Sequence, residues 1–254
     1  MTVVVAADGH VVTCTLDRPE RLNAIDIETY DGIVEFATRL EQDADLWVGI
    51  ITGAGDRAFS AGADLKKLLA QIEERGSANV PPFVTAFRRL GLSKPLIAAV
   101  NGLAYGGGCE LALACDLRVL QTNARLALPE PKRGLLPGWG GTQLLPRLVP
   151  PAIALELLLT GRDVHAEEAL RLGLANRIAD DALQGARELA AEISANAPTA
   201  VRHIRSAALR GAELPLADGL VIEAEMMAAQ KATADSAEGV AAFIEKREPA
   251  WPGR

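Results

Sequence analysis

Two apolar runs constrain this 254-residue chain more than any other feature. Trp47 to Thr52 (WVGIIT) and Pro95 to Val100 (PLIAAV) carry no charge, and each leads through a glycine-bearing turn into a helical pattern. A strand that is apolar on both faces must be covered on both faces, as in the buried parallel sheets of α/β proteins. The first run continues through AGDRAFSAGADL into a helix carrying Lys66 and Lys67. The second continues as NGLAYGGGCEL into a short helix to about Ala114. One strand, turn and helix arrangement is thus used twice, without the strict period of a solenoid or propeller.

The flanking sequence fits this class. Val3 to Leu16 reads as two strands around an Asp8-Gly9 turn, and Asp26 is placed to cap a helix running to about Asp43. From Gly140 onward the pattern is helical almost without interruption, so the strand-rich part is expected to end before it. The residue before a proline avoids the α region, which makes Ala197-Pro198 a natural boundary. The expected organisation is a core over 1–196 and a C-terminal helical layer over 197–254.

Charge and composition remove several function classes. Twenty-six Lys and Arg against 33 Asp and Glu give a net charge of −7, unlike proteins that capture nucleic acid through clustered cations. The longest uncharged run, Pro95 to Cys109, is 15 residues and is broken by Asn101 and four glycines; a bilayer span takes roughly 20 apolar residues, so no membrane partner is expected. Met1-Thr2-Val3-Val4-Val5 lacks the basic start of a secretory leader. Three cysteines without a CxxC pair suit a reducing, cytoplasmic compartment. The three histidines show no ligand spacing, so no metal is expected.

Three segments can do chemistry. In FSAGADL (Phe59 to Leu65), small residues at a strand-to-helix turn let a ligand approach free backbone N–H groups, although a plain helix start reads the same way. In NGLAYGGGCELALACD, three consecutive glycines open a helix and leave its N–H groups uncovered, although close packing of helix on strand also calls for glycines. Glu110 then lies one turn into an otherwise apolar helix, where a carboxylate is costly without a partner or a task. In ALPEPKRGLLPGWGGTQLLPR, Glu130 stands between Pro129 and Pro131, which are expected to hold its backbone extended and aim its side chain. An exposed glutamate in a stiff loop is the plainer alternative. Together they supply two backbone donor sites and two carboxylates, the set needed to stabilise a thioester enolate and move protons between carbon and water. No G-x-S-x-G motif or Cys/His pairing offers a competing nucleophile.

With RPERLNAI, AFSAGADL, NGLAYGGGCELALACD, LPEPKRGLLPGWGGTQLLPR, TGRDVHAEEALRLGLANRI and FIEKREPAW in this order, the chain resembles the enoyl-CoA hydratase/isomerase (crotonase) superfamily along nearly its whole length. VPPAIALELLLTGR and EKREPAWPGR are similar to its carnitinyl-CoA dehydratase branch. The resemblance implies a crotonase-like spiral of ββα units with a C-terminal helical oligomerisation layer. It implies a homotrimer or hexamer and a role in fatty-acid and lipid metabolism. The substrate implied is an enoyl-CoA thioester, with coenzyme A as part of the substrate and no separate cofactor.

By the same resemblance the thioester oxygen is held by the N–H groups of Ala63 and Gly107. Glu110 and Glu130 are the acid/base pair, and Gly138 N–H helps hold the water. Coenzyme A is expected along Leu22, Ala24, Ala61, Asp64, Leu65 and Lys66, with Phe243 and Lys246 reaching it from the C-terminal layer. The reaction implied is reversible addition of water across the 2,3 double bond. Isomerisation of a Δ3 enoyl-CoA, another acyl-CoA reaction, and a non-catalytic binding protein stay open as alternatives. Trp139 departs from the small residue that many relatives carry in PGxGG; its ring either reshapes the acyl pocket or faces the core.

Overall fold

The computed structural model describes residues 2–67, 74, 76 and 80–254. Its first sheet has six strands in the order β1-β2-β3-β5-β7-β10, namely Val3–Asp8, Val11–Leu16, Val48–Gly53, Leu96–Val100, Leu117–Gln121 and Arg177–Ala179. All neighbours pair in parallel except the β1–β2 hairpin. The second sheet, β4-β6-β8-β9, is built from much shorter strands: Ala58–Ser60, Leu103–Tyr105, Arg125–Ala127 and Val164–His165.

The apolar runs are central strands because both faces are buried. Val48 and Ile50 of β3, with Ile97 and Ala99 of β5, pack under helix α7 (Ala182–Ser194) through Ala182, Ala186, Leu189 and Ala190. The alternate residues Ile51, Leu96, Ala98 and Val100 enter the larger core on the other face. There they join Ile33, Phe36 and Leu40 of α1 (Ile27–Gln42) and Leu111 of α3 (Gly107–Ala114). Two-residue periodicity therefore sorts each strand between two cores. Asp26 caps α1 by accepting from Thr29 N at 3.0 Å, as expected.

The repeated unit is a long strand of the first sheet, a short strand of the second, then a helix: β5, β6 and α3 form one. The unit begun by β3 and β4 leads into helical residues 65–67; its continuation lies outside the described residues. The ββα spiral expected from the resemblance is present.

The structure corrects three local expectations. The hairpin turn is Gly9-His10 rather than Asp8-Gly9, because Asp8 pairs with Val11 and Gly9 takes the positive φ. Strands do not end before Gly140, since β9 and β10 follow it; at two and three residues they are too short to show periodicity. Helix α2 (Phe83–Arg89) falls where the sequence suggested no element.

After α4 (Gly141–Leu148), α5 (Pro151–Thr160), α6 (Ala166–Leu172) and α7, the chain closes with α8 (Pro198–Gly211), α9 (Leu216–Lys231) and α10 (Ala234–Glu245). Arg205 of α8 ties this layer to the core, donating to Asp116 Oδ2 at 2.8 Å and to Leu92 O at 2.7 Å. Among the described residues, no helix is long and apolar enough to cross a membrane.

Candidate active site

The turn before α3 meets the turn after β4. Gly62, at φ +93°, takes a conformation that suits only glycine, and a Cβ there would stand 2.6 Å from Tyr105 O and 3.0 Å from Gly107 N. A Cβ on Gly107 would lie 3.5 Å from Ala63 N. The Ala63 and Gly107 N–H groups therefore border one small space, and among the described residues neither has an acceptor. Gly107 is the first residue of α3, so its free N–H belongs to the positive end of the helix.

Both carboxylates reach the same region. Glu110, 2% exposed, accepts from Trp139 N at 2.7 Å and Gly141 N at 2.9 Å through one oxygen. Burial pushes its carboxyl up to about 7; the charge of Glu130 adds to the rise and the two N–H bonds oppose it. Glu130 Oε1 would stand 3.0 Å from a Cβ on Gly106, and among the described residues its buried Oε2 has no hydrogen-bond partner. Burial pushes the Glu130 carboxyl up as well. Glu130 is not extended as expected: it opens a 3-10 turn over Glu130–Arg133. A proline near a helix start removes only an N–H that has no helical partner, so Pro131 permits the turn.

Glu110 titrates in a way that stability can report. Its folded pKa lies above the ordinary carboxylate value, so its contribution is full below about pH 4.5 and is lost as pH rises through about 7. Urea unfolding between these pH values is expected to show wild type losing about 3 kcal/mol relative to Glu110→Gln. Parallel pH profiles for the two proteins would contradict this.

The proposed coenzyme-binding residues divide into two groups. Leu22, Ala24, Ala61 and Asp64 are brought together: Ala61 N donates to Leu22 O at 2.9 Å, Ile25 N to Gly62 O at 2.8 Å and Asp64 N to Ile25 O at 2.8 Å. Leu65 and Lys66 follow on the exposed start of the next helix. The Asp64 carboxylate is engaged by Arg18 at 3.1 Å, so it braces the turn. Phe243 and Lys246 are not brought to the site within one chain; both are exposed at the end of α10, which packs chiefly on α8 and α9. Gly138 is exposed, and its N–H has no acceptor among the described residues.

Sequence reasoning missed the residues that hold this turn. Arg18 donates to Ala24 O at 2.6 Å and pairs with Asp26 at 3.2 Å as well as with Asp64. Asn23 is fully buried at φ +54°, accepts from Arg18 N and donates to Ala54 O and Ala58 O. Asparagine's tolerance of the left-handed region was the available signal. Asn23→Ala is expected to cost about 2–4 kcal/mol in chemical denaturation, because it strands buried polar groups in a turn alanine disfavours.

A family model described as enoyl-CoA hydratase/isomerase matches residues 6–254. The chain belongs to this family. It is 39% identical to (E)-benzylidenesuccinyl-CoA hydratase of Thauera aromatica over 255 residues, covering 100% of both proteins. It is 42% identical to carnitinyl-CoA dehydratase of Salmonella typhimurium, covering 97% of each. The crystal structure of enoyl-CoA hydratase from Bacillus anthracis superposes with a TM-score of 0.91 at 37% identity, covering 100% of both chains.

Proposed function

We propose that the protein is a hydro-lyase that adds water reversibly across the 2,3 double bond of an enoyl-CoA thioester. The observation that carries this reading is the convergence of two free N–H groups, on Ala63 and Gly107, with two carboxyls on Glu110 and Glu130. The N–H groups receive the thioester oxygen. As the water oxygen bonds to the β-carbon and gives up a proton to a glutamate carboxylate, the double-bond electrons move onto the thioester oxygen as an enolate, which collapses as the α-carbon takes a proton from the glutamate pair. Glu130, with its unpartnered buried oxygen, acts as the main acid/base. Glu110, fixed by Trp139 and Gly141, positions and helps activate the water, with Gly138 N–H as a further donor. Raised carboxyl pKa values suit this work, because proton exchange is most effective when the pKa lies near the operating pH.

Coenzyme A lies along the Leu22–Ala24 and Ala61–Lys66 turns, its phosphates held by Lys66 and helix-start N–H groups despite the acidic net charge. The substrate reading is tested by following crotonyl-CoA through the loss of its enoyl-thioester absorbance. Catalytic decay supports it; tight binding of the thioester without turnover would overturn it.

The protein assembles as a homotrimer, or as a pair of trimers, through its last helices. Support comes from the apolar side chains exposed on α8 and α9, including Ile204, Leu216, Leu220 and Met227. Sedimentation at micromolar concentration is expected to give a trimer or hexamer mass; a monomer mass would contradict it.

A further inference from the structure

Four of the ten aromatic residues in the chain meet beside the two carboxyls. Trp139 meets Phe83 edge-on at 5.3 Å, Tyr30 lies 4.9 Å from Phe83 and 6.0 Å from Trp139, and Phe87 extends the row 6.0 Å beyond Phe83. The Tyr30 hydroxyl donates to Pro81 O at 2.8 Å, so the row is anchored at its polar end. The Trp139 indole lies against Gly107: a Cβ on Gly107 would be 2.8 Å from Cε3 and 2.9 Å from Cζ3. The Trp139 backbone is fixed too, through its N–H bond to Glu110.

A thioester oxygen received by Ala63 and Gly107, with its α and β carbons beside Glu110, directs the remaining acyl carbons toward this ring. We infer that the Trp139 indole closes the acyl end of the site and restricts the enzyme to short acyl chains. The inference rests on the enoyl-CoA hydratase reading. One or two carbons beyond the β-carbon pack on the ring. A longer tail must displace an indole held by Phe83, by Tyr30 and by its own backbone, and close-packed aromatic clusters yield little without loss of contact.

The test is kcat/KM for 2-enoyl-CoA thioesters of four, six, eight and ten carbons in wild type, Trp139→Phe and Trp139→Ala. Each protein's C4/C8 ratio is used, so that a uniform loss cancels. Wild type is expected to favour C4 over C8 by at least about tenfold, in line with the discrimination an apolar pocket draws from a methylene or more. Trp139→Ala is expected to reduce that ratio by about tenfold or more, with Trp139→Phe between. Calorimetric binding of butyryl-CoA and octanoyl-CoA gives the same comparison without turnover. If that binding ratio shifts in Trp139→Ala while no protein hydrates any thioester, the pocket assignment stands and the hydratase reading falls. If crotonyl-CoA is hydrated but both ratios are unchanged in both variants, or wild type prefers C8, the role of Trp139 is overturned.

Discussion

Glu130→Gln is expected to lower kcat for crotonyl-CoA hydration by about 10²–10⁴-fold, the range for loss of a positioned acid/base. The substitution keeps size and shape but ends proton exchange at this position. Among the described residues the buried Glu130 Oε2 has no partner, a costly placement unless it meets a substrate atom or water during the reaction. The loss is therefore expected in kcat, with KM nearly unchanged, because an interaction made mainly in the transition state is removed. Glu110→Gln is expected to act in the same direction. Its amide oxygen can still accept from Trp139 N and Gly141 N, so the loop is retained while the shared proton chemistry is lost. Residues that act as a unit are not additive, and the double variant is expected to be little slower than the worse single one. Unchanged kcat in both single variants would remove the glutamates from the reaction.

The second large effect concerns the backbone. Gly107→Pro is expected to lower kcat by about 10²–10³-fold relative to Gly107→Ala, the loss typical of one oxyanion donor. The pairing of variants isolates the N–H. Both add a Cβ that meets the Trp139 ring, at 2.8 Å before relaxation, but only proline deletes the donor. Proline is tolerated in the first position of a helix, where Gly107 stands, since the N–H there has no helical acceptor. Thermal unfolding of the two variants measures how much of the loss is structural. Equal kcat values in two equally folded variants would place the thioester oxygen elsewhere.

The parts of this molecule that were legible in its sequence are those in which several residues share one physical constraint. Val48–Gly53 and Leu96–Val100 are central strands because water is excluded from both faces, and an unbroken apolar run expresses that directly. The three glycines before Cys109 and the lone carboxylate of Glu110 marked a helix start where uncovered backbone and a buried acid stand together. Short elements were not legible. The strands at Val164–His165 and Arg177–Ala179 are set by neighbours far along the chain, Leu126 and Arg125 in one case and Val119 to Gln121 in the other. The backbone at Glu130 was misread because the usual effect of a following proline yielded to the helical-start geometry that Pro131 also allows. Arg18 and Asn23 escaped notice because the partners through which they tie this turn to the next segment, Asp64, Ala54 and Ala58, are more than thirty positions away. For Trp139 the sequence left two readings: the ring lies in the core, against Gly107, and an effect on the acyl pocket is what the chain-length ratios test.

The most direct test of the whole account is the fate of water atoms in a single turnover. Crotonyl-CoA is incubated with the enzyme in D2O enriched in 18-O, and the product is read by mass spectrometry and NMR. Water addition through an enolate predicts one deuterium on the α-carbon and one labelled oxygen on the β-carbon, both formed much more slowly by Glu110→Gln and Glu130→Gln. A product with the double bond moved to the 3,4 position and no labelled oxygen, or labelled product formed at the wild-type rate by both variants, would contradict the account.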